Sequence, residues 1–402
     1  MRSNKTKILY ITAQMPWGRA ESFLVGEACE MKHQGAEIFI VPRNPSREVF
    51  HREARALLKN SLWRPLIDIK IAAVFIAAAA KTSFWKALAG IMRGSRNPLI
   101  FAKNLAVFPK GVFVGRLAEK RGIGHIHCHW GSTTATMAYV AAAISGVPWS
   151  FTLHRWDIKE NNMLKTKIGS AGFARCISEH GRQELIAIIG KKNGIKIKVI
   201  HMGTDIPARI LKPAAGKLFS IAVPANLIEV KGHKYLIEAM AILFRAGLNN
   251  IRCVFYGSGN LRQSLADDIK KKGLEDFIKM PGILPHEELI GLYESGKVDC
   301  VVLPSIVASA GVHEGVPVAL MEAMARGIPV ISTDTGAIGE LLTGGAGMMA
   351  KERSAADLAA AIKKLMLDKK FAGDMAQIAR KKIEDDFNVE KNTHALLRLI
   401  ET

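Results

Sequence analysis

The stretch Leu303 to Leu342, LPSIVASAGVHEGVPVALMEAMARGIPVISTDTGAIGELL, concentrates residue types that can do chemistry. Two carboxylates, Glu314 and Glu322, lie eight residues apart. Pro317 stands where a helix would begin and Gly327 where it would stop. Strands are expected before the loop, Val298 to Leu303, and after the helix, Ile328 to Ser332. That frame lets one carboxylate project from the loop and the other from the helix into a single cleft. Free N–H groups at Gly315, Val316 and Val318 would attract an anion such as phosphate. The residues alone also allow Glu322 to be a surface side chain and Glu314 a helix-start acid favoured by the dipole.

A second constellation is His125, His127 and His129, which a strand would place on one face. With Cys128 beside them the set could suggest a metal site. Closed metal sites draw ligands from separated segments, and none is evident, so no metal is expected. No Asp-x-Asp signature occurs at a strand end, which fits a metal-free mechanism. A P-loop is absent. Gly257-Ser258-Gly259 follows a strand but lacks the third glycine of a dinucleotide fingerprint. Ser22, Ser178 and Ser305 lack the Gly-x-Ser-x-Gly context of a hydrolase elbow.

The elements that must carry these residues alternate. Strands are expected at Lys7 to Thr12, Glu37 to Val41, His125 to His129, Trp149 to Leu153 and Ile195 to Ile200. The rhythm resumes at Leu218 to Pro224, Ile251 to Tyr256, Asp299 to Leu303 and Ile328 to Ser332. Helical patterns fall between them, among them Glu21 to Gly35, Lys231 to Ala246 and Ser354 to Leu367. Residues 371–402 read as helices with no strand after them. Alternation of this kind implies right-handed βαβ units, hence parallel sheets that bind ligands at the carboxyl ends of their strands. The stretch 206–216, IPARILKPAAG, interrupts both periods and reads as a linker.

In order along the chain, these segments resemble the family 4 glycosyltransferases, whose architecture is GT-B. HEGVPVALMEAMARGIPVIS resembles that family's Glu-x7-Glu segment. VIHMGTD (Val199 to Asp205), ANLIEVKGHKYLIEAM (Ala225 to Met240), FYGSGNLRQSL (Phe255 to Leu265) and GILPHEELIGLY (Gly282 to Tyr293) stand in register with it. PWGRAESFLVGE (Pro16 to Glu27), HIHCHW (His125 to Trp130) and SFTLHRWDI (Ser150 to Ile158) are similar to the subgroup that builds exported polysaccharides. Only about 45–120 lies outside the likeness.

The resemblance implies an α/β chain of two Rossmann-like parallel-sheet domains facing across a cleft. Residues 1–205 would form the acceptor-binding domain, 217–380 the nucleotide-sugar domain, and 381–402 a helix packing back on the first. It implies a retaining, metal-independent, hexosyltransferase-type enzyme with a nucleotide-diphosphate-sugar donor, a glycan or lipid-linked acceptor and no cofactor. Glu314 matches the carboxylate beside the reacting carbon, and His154 the histidine near the donor sugar. Glu322 matches the group that holds the ribose, and Lys231 the phosphate-binding lysine. Gly315, Val316 and Val318 would add backbone donors, and Gly18 would leave room for the nucleotide. His129 and Glu21 fall on the acceptor side. One departure stands out: Ala225-Asn226-Leu227 replaces the family's Gly-Arg-Leu, so Asn226 lacks the arginine's charge for diphosphate. Arg262 or His233 could substitute.

Composition bounds the rest. The chain has 402 residues and a formal net charge of +20, with 49% apolar residues, ordinary for globular domains. Its five cysteines form no CxxC pair, and the N-terminus lacks a signal-peptide pattern, so a cytoplasmic location is expected. No run reaches the roughly 18–20 apolar residues that span a bilayer. Residues 51–120 carry 13 Lys/Arg against 3 Asp/Glu, with large apolar residues interleaved. Two readings stand for this segment: core helices with solvated basic faces, or a face that docks peripherally on the inner membrane surface. Rival functions are a same-fold nucleotide-sugar epimerase or phosphorylase, and an inactive basic scaffold. Nucleic acid is not expected as a partner, because no recognised motif accompanies the charge.

Overall fold

The computed structural model describes residues 6–19, 21–210 and 218–402. The chain divides into two compact units, Met1–His201 with Val389–Thr402, and Met202–Asn388. The unit boundaries therefore fall at 201 and 388, where the sequence suggests 205 and 380. Of the expected linker, residues 211–216 lie outside the described residues.

The first unit runs β1 (Lys7–Thr12), α1 (Ser22–His33), β2 (Glu37–Pro42), α2 (Ile69–Ala78), α3 (Thr82–Gly94), α4 (Pro98–Arg121), β3 (His125–His129), α5 (Thr133–Ser145), β4 (Trp149–Leu153), α6 (Arg155–Glu160), α7 (Leu164–Ser170), β5 (Phe173–Cys176), α8 (Glu179–Ile189) and β6 (Ile197–Val199). Its sheet has the order β2-β1-β3-β4-β5-β6, all parallel. The middle strands are buried on both faces, as Ile8, Leu9, Tyr10 and Ile11 show, which is why they read as continuous apolar runs. Helix α4 is bounded by local chemistry. Asn97 caps it by accepting from Ile100 N at 2.8 Å, Pro98 opens it, and left-handed Gly122 closes it.

The second unit runs β7 (Phe219–Pro224), α9 (His233–Arg245), β8 (Ile251–Tyr256), α10 (Arg262–Lys271), β9 (Ile278–Gly282), α11 (His286–Glu294), β10 (Cys300–Leu303), α12 (Val318–Ala325), β11 (Val330–Thr333), α13 (Ile338–Leu342), β12 (Met348–Ala350), α14 (Ala355–Leu367) and α15 (Lys369–Asp386). Its order is β12-β11-β10-β7-β8-β9, again all parallel. The last helix, α16 (Val389–Glu401), belongs to the first unit and packs against α1.

Both strand orders reverse direction once, between β1 and β3 in the first unit and between β7 and β10 in the second. Ligands of open parallel sheets bind at such switch points. The loops after β1, β7 and β10 carry Gly18, Lys231 and Glu314, whereas His154 follows β4 and Glu322 lies within α12.

Three strands escape the sequence pattern. β5 (FARC) holds a buried arginine, β9 (IKMPG) ends in Pro-Gly, and β12 (MMA) is three residues long. Two helices start later than expected. Pro317 is the N-cap of α12 rather than its first residue. Lys231 sits in a 3-10 turn, Glu229–Lys231, ahead of α9, because Gly232 turns the chain through φ +64°. Of the expected strand Ile195 to Ile200, only Ile197–Val199 pairs, the residues before it forming a 3-10 turn.

Candidate functional site

In the second unit the loop after β7 delivers Lys231, and the loop after β10 delivers Glu314. Their side chains meet at 2.8 Å, Lys231 Nζ to Glu314 Oε1, both mostly shielded. Two glycines make the meeting feasible. A Cβ on Gly232 would lie 1.9 Å from the Pro304 carbonyl oxygen. A Cβ on Gly336, itself at φ +59°, would lie 1.9 Å from the carbonyl oxygen of Glu314. Without them the loops after β7, β10 and β11 could not close on one another.

Glu322 projects from α12 and is buried, with His286 Nε2 at 2.7 Å from its Oε1. The surface reading of Glu322 is thereby excluded. Val316 is buried, while Gly315 and Val318 are partly exposed at the start of α12. First-turn amides of a helix have no partner within it, so this start offers donors to an anion. His286 was not anticipated. Its signal lay in GILPHEELIGLY, where it opens α11.

In the first unit, His154 caps α6, its backbone N–H donating to Asp157 Oδ2 at 2.8 Å. Its ring packs 4.4 Å from Trp130 and 5.5 Å from Phe23, centroid to centroid. Burial, then the positive charge of neighbouring His129 and Arg175, holds its pKa well below the usual histidine range. His154 is therefore neutral near pH 7. Its Nε2 lies 3.3 Å from Nδ1 of fully buried His129. His129 Nε2 in turn faces Glu27 Oε1 at 2.9 Å and Tyr10 Oη at 2.6 Å. Tyr10 also donates to Glu27 at 2.7 Å, and Arg175 Nη1 donates to the other carboxylate oxygen at 2.5 Å. Burial opposes the charge on Glu27, but Arg175 and His129 outweigh it and hold its carboxyl well below the usual range. An ionised Glu27 takes the Nε2–H of His129.

The other two histidines of the ladder sit on the same face, as their alternation implied. They are held by hydroxyls: His125 Nε2 meets Ser150 Oγ at 2.7 Å, and His127 meets Ser150 Oγ at 2.8 Å and Thr152 Oγ1 at 3.0 Å. Burial pushes His125 down to about 4 and His127 well below its ordinary value.

The structure gives Glu21 an inward task. Its oxygens accept from Ala13 N at 3.0 Å, Gln14 N at 2.5 Å, Met15 N at 2.7 Å and Trp130 Nε1 at 2.5 Å. That carboxylate shapes the loop after β1. Gly18 belongs to the same loop at φ +89°, and a Cβ there would first meet Gln14 Oε1 at 2.3 Å. The Gln14 side-chain end can move aside, so it is the left-handed backbone that favours glycine at this position.

Residues 211–382 match the family model of glycosyl transferases group 1. Relatives extend the likeness toward exopolysaccharide-type enzymes. The chain is 37% identical over 212 residues to the Salmonella typhimurium protein named as a colanic acid biosynthesis glycosyltransferase, WcaL, covering 52% of this chain and 51% of that one. It is 35% identical over 210 residues to the amylovoran biosynthesis glycosyltransferase AmsK of Erwinia amylovora, covering 51% of each. The matched stretch thus spans about half the length of these relatives. Among solved structures, Anabaena Alr3699/HepE in complex with UDP-glucose superposes with a TM-score of 0.72 at 16% identity, over 98% of this chain and 99% of that one. A glycosyltransferase from Rickettsia africae gives 0.70 at 19% identity, over 99% and 98%. At these identities the likeness establishes the fold, which is GT-B.

Within the stretch that matches the family model, Asn226 is exposed on the loop after β7. Of the two proposed substitutes, Arg262 keeps its charge while one of its N–H groups donates to the Met280 carbonyl at 2.8 Å. His233 is buried against Phe255, and burial followed by the charge of Lys231 brings its pKa down to about 4, so it is neutral. Gly257 and Gly259 also gain a structural account. Cβ atoms there would lie 2.0 Å from the Ala225 and 2.2 Å from the Leu227 carbonyl oxygens, so the loops after β7 and β8 pack backbone to backbone.

Proposed function

We propose that the chain is a retaining glycosyltransferase that moves a sugar, of hexosyl type, from a nucleotide-diphosphate-sugar to a hydroxyl of a glycan or lipid-linked acceptor. The work belongs to cell-surface polysaccharide biosynthesis, at the cytoplasmic face of a membrane and without a catalytic metal. The observation that carries this reading is the Lys231–Glu314 pair at the switch point of the second sheet, with buried Glu322 on the helix α12 that follows.

The chemistry follows from charge. A diphosphate carries more negative charge than one carboxylate, so it would draw Lys231 away from Glu314. Lys231 and the first amides of α12 then neutralise charge growing on the leaving diphosphate, the main electrostatic demand of the reaction. Glu314, released, accepts hydrogen bonds from the donor sugar, and Glu322 from the ribose, with His286 fixing its second oxygen. The bond from the anomeric carbon to diphosphate oxygen breaks, and a bond to the acceptor oxygen forms on the same face. The acceptor proton passes to the leaving phosphate. The relatives named for colanic acid and amylovoran biosynthesis support the polysaccharide setting.

The test is a thermal-shift panel with UDP, GDP, ADP, TDP and their sugars, followed by transfer assays on the parent and on Glu314→Gln. A nucleotide at a hundred times its dissociation constant stabilises the fold by about 2.7 kcal/mol. One nucleotide class should stabilise both proteins, and only the parent should transfer sugar. Undiminished transfer by Glu314→Gln would overturn the site assignment. Absence of any nucleotide shift would favour the inactive scaffold that Asn226 suggests.

A further inference from the structure

Helix α2 is apolar on both of its faces. Its inner face packs Ile71, Val74, Phe75 and Ala78 against the protein, where Phe75, Phe84 of α3 and Phe108 of α4 meet ring to ring at 5.1–5.6 Å. Its outer face presents Ile69, Ala72, Ala73, Ile76, Ala77 and Ala80 of the following turn, all exposed. Ile69 is 84% and Ile76 74% exposed. Helices that are apolar all round are normally buried or lie in lipid, so this outer stripe calls for a partner.

The neighbourhood says which one. Trp85 of α3 is 57% exposed, and its Nε1–H donates to the Ala79 carbonyl at 2.9 Å, which pins the indole at the corner between the helices. The helices bend by 103° there. Exposed Lys70 lies at one end of the stripe, and Lys81 and Lys86 at the other, with Arg93 and Arg96 farther along. No Asp or Glu occurs between Asp68 and Glu119. Asp68 itself is taken by Arg64 at 2.5 Å. Among the described residues these five cations have no carboxylate partner. A second copy of the chain would set like charge against like charge. An apolar stripe edged by unpaired cations and an interfacial tryptophan matches an anionic bilayer.

We infer that the outer face of α2, with Trp85 and the flanking lysines, docks the chain in the plane of a membrane bearing anionic headgroups. At 10 residues, α2 is about 15 Å long, half a bilayer core of about 30 Å, and its inner face is already packed. It therefore lies in the headgroup region with its stripe in the acyl boundary. This inference deepens the membrane setting of the proposed function, and vesicle binding is read independently of transfer.

The experiment is co-sedimentation of the full chain with vesicles of phosphatidylcholine alone or mixed with phosphatidylglycerol, at low and high salt. Binding should require phosphatidylglycerol and weaken with salt. Lys81→Gln with Lys86→Gln should weaken it about thirtyfold, each headgroup contact counting separately. Ile69→Asn with Ile76→Asn should abolish it. Both variants alter only exposed side chains, and both should keep the parent's thermal transition and its nucleotide shift. Should the isoleucine pair fail to fold, quenching by brominated lipid, reduced in Trp85→Phe, reports the same contact. Equal recovery on neutral and anionic vesicles, unchanged binding by both variants, or a dimer that the isoleucine changes dissolve would each overturn the inference. Vesicle binding without nucleotide recognition would overturn the proposed function and leave this inference standing.

Discussion

Asn226 is where a single side chain has the largest leverage on donor binding. Lys231 is paired with Glu314, Arg262 gives one N–H to a carbonyl and keeps its charge, and His233 is neutral, so two of these three offer charge to a diphosphate and neither sits at position 226. Asn226→Arg restores a planar, permanently charged donor on an exposed loop. Charge-assisted hydrogen bonds contribute roughly 1.5–3 kcal/mol, so the variant should bind the nucleotide diphosphate about ten- to a hundredfold more tightly. Titration calorimetry on parent and variant decides it, and equal affinity would mean that the diphosphate does not pass this loop. A second residue-scale outcome concerns Glu27, which Arg175 and His129 hold ionised. Glu27→Ala leaves Arg175 buried and uncompensated, so it should cost about 3–5 kcal/mol in denaturant unfolding. A loss under about 1 kcal/mol would mean the network is not held as described. Glu314 and Glu322 drew notice through their eight-residue spacing, and Lys231 only through the resemblance of the segment that carries it. The Glu27–Arg175 pair was not legible in the sequence, because its members stand 148 residues apart and only the sheet brings them together.

Helices make the next set of constraints, and glycines expose them. Gly115 faces α5, and a Cβ there would lie 2.8 Å from the Ala141 carbonyl oxygen and 2.8 Å from Ile144 Cβ. Gly26, in α1, is exposed and has nothing within 4 Å of its Cβ position. Helix propensity favours alanine at both by about 1 kcal/mol. At Gly26 that gain stands alone, so Gly26→Ala should raise the melting temperature. At Gly115 overpacking costs about 1–3 kcal/mol, so Gly115→Ala should lower it. Opposite signs from one chemical change test the α4–α5 contact directly. The same layer explains which elements the sequence showed. β1, β4 and β8 read correctly from runs of five or six residues rich in apolar and β-branched side chains, and β3 from the alternation of its histidines. β5 did not, because Arg175 interrupts its four residues, and that interruption is the side chain that holds Glu27. β9 did not because its partly polar run ends in Pro281-Gly282, a turn signal.

Over the whole molecule, burying neutral histidines ties stability to acid. His125 in the first unit and His233 in the second are both held down to about 4 by burial. The unfolded chain titrates its histidines near 6.5. Between about 6.5 and 4 the unfolded state binds a proton at each position and the folded state does not. Stability is therefore full above the unfolded value and falls as pH drops through that window. By pH 5 each group should have removed about 2 kcal/mol. Other groups move too: burial, its largest cause, raises Asp157 to about 7, and that opposes the loss, because the folded state then gains a proton first. A comparison between proteins cancels such contributions. Both ring nitrogens of His233 lack a hydrogen-bond partner, and the ring lies edge-on to Phe255 at 5.0 Å, so leucine can take the space without leaving a polar atom unpaired. His233→Leu should therefore unfold at nearly the same temperature at pH 5 and pH 7.5 in the transition of the second unit, once the parent's remaining shift is subtracted. The parent should lose about 2 kcal/mol more over the same interval. If the two proteins lose stability in parallel, His233 is protonated in the folded state, and the neutral histidine beside Lys231 would have to be replaced by a second cation at the diphosphate.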